Sequence, residues 1–100
     1  MDIAALKQKH PRKTQAVEVE GDQYQIVELT LAERTRFIDL MNEEGPSQGT
    51  LFAIQRGVPA FVDMSVDDME SISPGFIDTL AGEIFKLSGM QPQEETEKNS

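Results

Sequence analysis

Residues 17–26 alternate apolar and polar side chains on both sides of a single glycine, and this pattern limits the fold more than any other in the chain. Val17-Glu18-Val19-Glu20 alternates, Gly21-Asp22 reads as a two-residue turn with glycine supplying the unusual φ, and Gln23-Tyr24-Gln25-Ile26 alternates again. A period of two belongs to a β-strand, and two such runs about a short turn make a hairpin. Pairing across that turn sets Val19 opposite Tyr24 and Val17 opposite Ile26. All four then share a core-facing side, while Glu18, Glu20, Gln23 and Gln25 share the wet one. Val27 breaks the alternation, so a strand end or a bulge is expected before Leu29.

Helix signals follow at once. Thr30-Leu31-Ala32-Glu33 is a capping box, and the helix it opens should run to about residue 44, because Gly45 suits a left-handed C′ position and Pro46 cannot continue the helix. Leu31, Phe37, Ile38, Leu40 and Met41 gather on one half of its wheel with Arg34 among them. Arg34 either snorkels, pairs with an acid, or is a buried functional arginine. Residues 46–49 read as a loop and residues 50–55 as a short helix ended by Gly57. Leu51, Phe52, Ala53 and Ile54 are consecutive, so that turn is either deeply buried or meets a partner. Ser65 and Asp68 mark a second cap opening a short helix through about residue 72. Ser73-Pro74 then opens a last helix over 74–88 with Gly89 at its C′ end. Phe76, Ile77, Leu80, Ile84 and Leu87 form its apolar stripe, which Ala81 and Phe85 widen to about half the wheel. That width calls for two neighbours: the core, and either a second helix of the same domain or another subunit.

The chain of 100 residues leaves room for one small hydrophobic core. The fold class expected is α+β: an N-terminal two-stranded hairpin, three to four helices, and a disordered acidic tail. A basic flexible arm covers 1–15, a single globular domain 16–90, and the tail 91–100. Charge divides unevenly among them. Lys7, Lys9, Arg12 and Lys13 face only Asp2 in the first fifteen residues, yet the whole chain is −9. A basic arm ahead of an acidic body is either a solvated leader or an assembly device that touches a neighbouring copy. The acidic balance argues against nucleic acid as a partner. With no cysteine in the chain, disulfides and thiolate metal sites are excluded. No apolar run exceeds the four residues of Leu51-Phe52-Ala53-Ile54, so no bilayer span is expected. Ile3-Ala4-Ala5-Leu6 precedes the basic stretch, the reverse of a secretory signal, which points to the cytoplasm.

Three motifs look chemical and fail on context. Gly45-Pro46-Ser47-Gln48-Gly49 matches a nucleophile elbow, but a helix precedes it and the one histidine, His10, lies upstream. The same segment lacks the lysine of a phosphate-binding loop. Asp63, Ser65 and Asp67 copy the first calcium-loop ligands, yet Asp68 stands where glycine belongs and Pro74 where glutamate belongs. No metal, cofactor or catalytic residue is nominated, and no enzyme is expected.

The order of the signals resembles the tail assembly chaperones of long-tailed, siphovirus-like bacteriophages and prophages. The resemblance rests on the basic, proline-bearing leader from Leu6 to Lys13, the Val17-Glu18-Val19 strand, and Glu28-Leu29-Thr30-Leu31-Ala32-Glu33-Arg34. It continues through Gly57-Val58-Pro59-Ala60-Phe61, the acidic helix, and Ile84-Phe85-Lys86-Leu87-Ser88-Gly89 before an acidic tail. The segment between Leu51 and Phe61 departs from it, lacking the family's acidic residues there. The resemblance implies a protein that coats the tape measure protein, keeps it soluble during tail tube assembly, and is absent from the finished virion. Leu51, Phe52, Ile54, Phe61, Ala81 and Phe85 are the candidate partner-binding residues, and the arm residues Lys7, Lys9, Arg12 and Lys13 the candidate assembly contacts. Homo-oligomers joined head to tail are implied, since a long rod needs many copies. So is a longer product, made by a minus-one frameshift, whose extension binds the tail tube protein; Glu97-Lys98-Asn99 can be encoded with the slippery heptamer A AAA AAC. The competing class is an acidic inhibitor or nucleic-acid mimic seated in a basic cleft of a host protein.

Overall fold

The structure, a computed structural model, describes residues 2–90. The expected acidic tail, with the Glu97-Lys98-Asn99 stretch expected to encode a frameshift signal, lies outside the described residues. The fold is α+β, a two-stranded antiparallel hairpin followed by helices.

A helix, α1 (Ile3–Lys9), precedes the hairpin and turns the first part of the expected arm into regular structure. Asp2 caps it by accepting from the Ala4 N–H at 3.0 Å, and its Ala, Leu, Lys and Gln residues all favour helix. Strand β1 (Thr14–Val19) also takes in two residues assigned to the arm, and pairs with β2 (Asp22–Val27). The register differs from the one expected: Val17 lies opposite Tyr24 and Val19 opposite Asp22, so the turn is Glu20-Gly21. Both turn residues have positive φ, 53° and 91°, as a type I′ turn requires, and glycine takes its second position. A slip of two residues preserves which side each residue faces. Val17, Val19 and Ile26 are therefore buried together, as the alternation predicted. The strand ends at Val27, before buried Leu29.

The Thr30 capping box is formed in full and opens α2 (Leu31–Glu44), which Gly45 closes at φ 99°. The expected 46–49 loop is instead the first turn of α3 (Pro46–Gly57), with Pro46 at a position that has no use for its missing N–H. Gly45 alone reverses the chain between the two helices. A 3-10 turn (Pro59–Phe61), α4 (Val66–Ser71) and α5 (Pro74–Leu87) complete the described elements. At the end of α5, Gly89 N–H donates to Lys86 O and Met90 N–H to Phe85 O, a Schellman closure with Gly89 at φ 73°.

The core lies between the apolar side of the hairpin and helices α3 and α5. Val17, Val19, Ile26 and Leu29 meet Ile54 and Val58 of the α3 end and Leu80, Ala81 and Ile84 of α5. Of the two neighbours expected of α5, the second is a helix of the same domain, α3, with the hairpin across the core. A smaller cluster of Leu51, Met69 and Ile77 joins α3, α4 and α5. Gly57 permits the close crossing of α3 and α5, because a Cβ there would stand 2.7 Å from Ile84 Cδ1. The consecutive apolar residues of α3 are accounted for by this central position.

Candidate functional site

Three of the six candidate partner-binding residues are interior. Leu51, Ile54 and Ala81 are buried and pack in the two core clusters, which corrects their assignment to a binding surface. Their apolar character serves folding, because α3 and α5 are covered on opposite sides by other elements of the same chain. The other three are half-buried and dispersed. Phe52 carries the Arg56 guanidinium 5.5 Å above its ring, Phe85 lies 5.0 Å from Phe37, and Phe61 lies 5.7 Å from Tyr24.

Of these, Phe61 lines an open recess. The 3-10 turn and α4 enclose an apolar groove of about 520 Å³ formed by Ala60, Phe61, Met64 and Ile72, with Asp63 and Asp68 at its rim. Exposed Val62 stands beside Phe61 in the chain. Local hydrogen bonds fix this wall: Gln55 Nε2 donates to Met64 O at 2.6 Å, and Ser65 and Asp68 form a second complete capping box. On the other side of Ile72, the first turns of α3 and α5 bound a second groove of about 310 Å³. Met69, Ile72, Pro74 and Ile77 supply its apolar surface, and Glu70 and Asp78 its charge. Both grooves combine an apolar floor with carboxylates, a chemistry that suits an amphipathic helix carrying lysine or arginine beside its apolar stripe. Sequence reading missed them. The signal present was the pair of helix breaks at Pro59 and Ser73-Pro74, which leave α4 too short to cover its neighbours.

The arm residues have two different fates. Lys7 and Lys9 are exposed on α1. Arg12 instead folds back within the chain, its Nε donating to Glu28 O at 2.9 Å and its Nη2 to Glu33 Oε1 at 3.2 Å. That same Glu33 oxygen accepts from the Thr30 N–H in the capping box, so one carboxylate joins the arm to the start of α2. The Lys13 N–H donates to Glu28 Oε1 at 2.9 Å. Arg34 is half-buried and forms no ion pair among the described residues.

Ser47 is exposed in the first turn of α3, a helix-to-helix context with none of the strand that an elbow needs. Ser65 of the calcium-like triplet is committed to capping α4, and the described residues contain no group of three or more metal-ligating side chains. No described helix is long and apolar enough to cross a membrane. No family model, curated protein or solved structure matches the chain.

Proposed function

We propose that this protein is a non-enzymatic assembly chaperone that binds an amphipathic helix of a partner, acting as the tail assembly chaperones of long-tailed phages act on the tape measure protein. The acid-rimmed apolar groove lined by Ala60, Phe61, Met64 and Ile72 carries this reading. It offers apolar surface to a client helix, while the −9 charge of the chain keeps a chaperone–client complex in solution. On this reading the binding surface centres on Phe61, and Leu51, Ile54 and Ala81 support it from the core. The protein works in the host cytoplasm in many copies and leaves before the virion is complete. A longer frameshifted form carries the contact to the tail tube protein.

The test is co-expression with a tape measure protein of a long-tailed phage. The tape measure protein is expected to remain soluble, and the complex to persist at about 1 M salt, where the screening length falls to about 3 Å. Ala60→Asp and Val62→Asp, both at exposed positions, should release the client without unfolding the domain. A tape measure protein that aggregates equally with and without the chaperone would sink the reading. Salt-labile binding to a basic, nucleic-acid-handling enzyme would put the acidic mimic in its place.

A further inference from the structure

Among the described α-helices, α1 is the one that buries no residue. Ile3 is 62% exposed and Leu6 40%, and at a spacing of three they share a side with Lys7, one turn beyond Ile3. Within Ile3–Lys9 the charged residues are Lys7 and Lys9, both basic. A helix of seven residues gains little from its own hydrogen bonds in water, and a surface packed against it would supply most of its stability.

The smaller groove between the first turns of α3 and α5 has the complementary chemistry. Half-buried Ile72 and exposed Pro74 give it accessible apolar surface over the buried Met69 and Ile77, and its carboxylates are Glu70 and Asp78. It lies at the opposite end of α5 from the origin of the arm. The Leu29 N–H is bonded to Ser88 Oγ at the C-terminal end of α5, and neighbouring Glu28 holds Arg12 and Lys13. Ile77 precedes Ser88 by eleven residues, about 16 Å along a helix axis. Only His10 and Pro11 separate α1 from Arg12, a slack of about 7 Å. Within its own chain α1 contributes no residue to the lining of this groove.

We infer that α1 docks in the Met69–Ile77 groove of a second copy of this chain, with Ile3 and Leu6 on its apolar floor and Lys7 and Lys9 against Glu70 and Asp78. The contact is heterologous: each copy offers an arm at one end of α5 and a groove at the other. It therefore adds subunits head to tail, as an open string or, where the rotation closes, a ring. This gives the self-association in the proposed function its residues. It leaves the Phe61 groove free for a client, and it can fail while client binding holds.

Sedimentation velocity on the full chain alone, over a concentration series, tests it. Wild type is expected to grow in mass with concentration. Lys7→Glu and Asp78→Lys should each weaken association by about tenfold or more, and the two together in one chain should restore it. Leu6→Asp removes the arm's anchor and leaves the groove intact, whereas Asp78→Lys spoils the groove and leaves the arm intact. Each alone should be monomeric, and a mixture of the two should stop at a one-to-one dimer. Circular dichroism melts matching wild type verify that these exposed positions leave the fold unchanged. A wild type that is monomeric throughout, or association that ignores these substitutions, overturns the inference.

Discussion

Helices α2 and α5 are each fourteen residues long, and each starts and ends on a clear cap or breaker signal, yet they do opposite work. Helix α5 buries Ile77, Leu80, Ala81 and Ile84, whereas α2 buries Leu40 alone. Leu31 is 74% exposed and Ile38 52%, so two large apolar residues of α2 face solvent. The difference arises from the number of neighbours. Hairpin and α3 enclose α5 between them, while α2 rests on α3 along one side, its ends tied by the Glu33 capping box and by the Gly45 reversal. A stripe on a wheel gives the direction of the core but not how many layers will cover it.

Removing side-chain volume from α5 should expose this contrast most. Ile84 is fully buried and crosses α3 at Gly57, where no Cβ intervenes. Ile84→Ala leaves a cavity that rigid helix backbones on two sides cannot close, and the expected loss is about 2–5 kcal/mol. That is a large part of the 5–15 kcal/mol typical of a whole domain. Urea unfolding should show it as a lower midpoint at unchanged slope. The same loss would be absent if α5 were as loosely covered as α2.

Ser88 tests how the end of α5 is held. Its hydroxyl accepts from the Leu29 N–H at 2.9 Å, a buried bond between residues 59 apart. Ser88→Ala would leave that N–H buried without a partner, at about 1–3 kcal/mol. Hydrogen exchange should report a selective rise at the Leu29 amide. An unchanged Leu29 rate would mean that another acceptor or water takes over.

Local chemistry made much of this architecture legible beforehand. Thr30-x-x-Glu33, Ser65-x-x-Asp68, Pro74 and Gly89 each act within a few residues, and the helix ends they announce are where the structure has them. The hairpin was legible in its sidedness but not its register, because both turn positions, Glu20-Gly21 and Gly21-Asp22, preserve the alternation. Backbone φ chose between them, and side-chain pattern carries no record of it. Pro46 misled for a related reason, since proline both stops one helix and suits the first position of the next. The candidate site was least legible. Apolar residues of α3 and α5 look alike in sequence whether they meet a core or a client, and only the count of neighbouring layers separates Ile54 from Phe61.

The smallest expected effect gives the sharpest comparison, because it uses the same substitution in the other helix. Ile38→Ala removes the same methyl and methylene groups as Ile84→Ala, from a site that is half solvent already. It leaves no enclosed cavity, and alanine has a higher helix propensity than isoleucine, which offsets the lost contact area. The net change should fall within about 0.5 kcal/mol. Urea midpoints for wild type, Ile38→Ala and Ile84→Ala, taken together, then measure the difference between the two helices directly. A cost at Ile38 approaching that at Ile84 would mean that the outer side of α2 is covered when the protein is in solution. Such a cost that also fell with dilution would identify the cover as another copy of the chain, since only association makes stability depend on concentration.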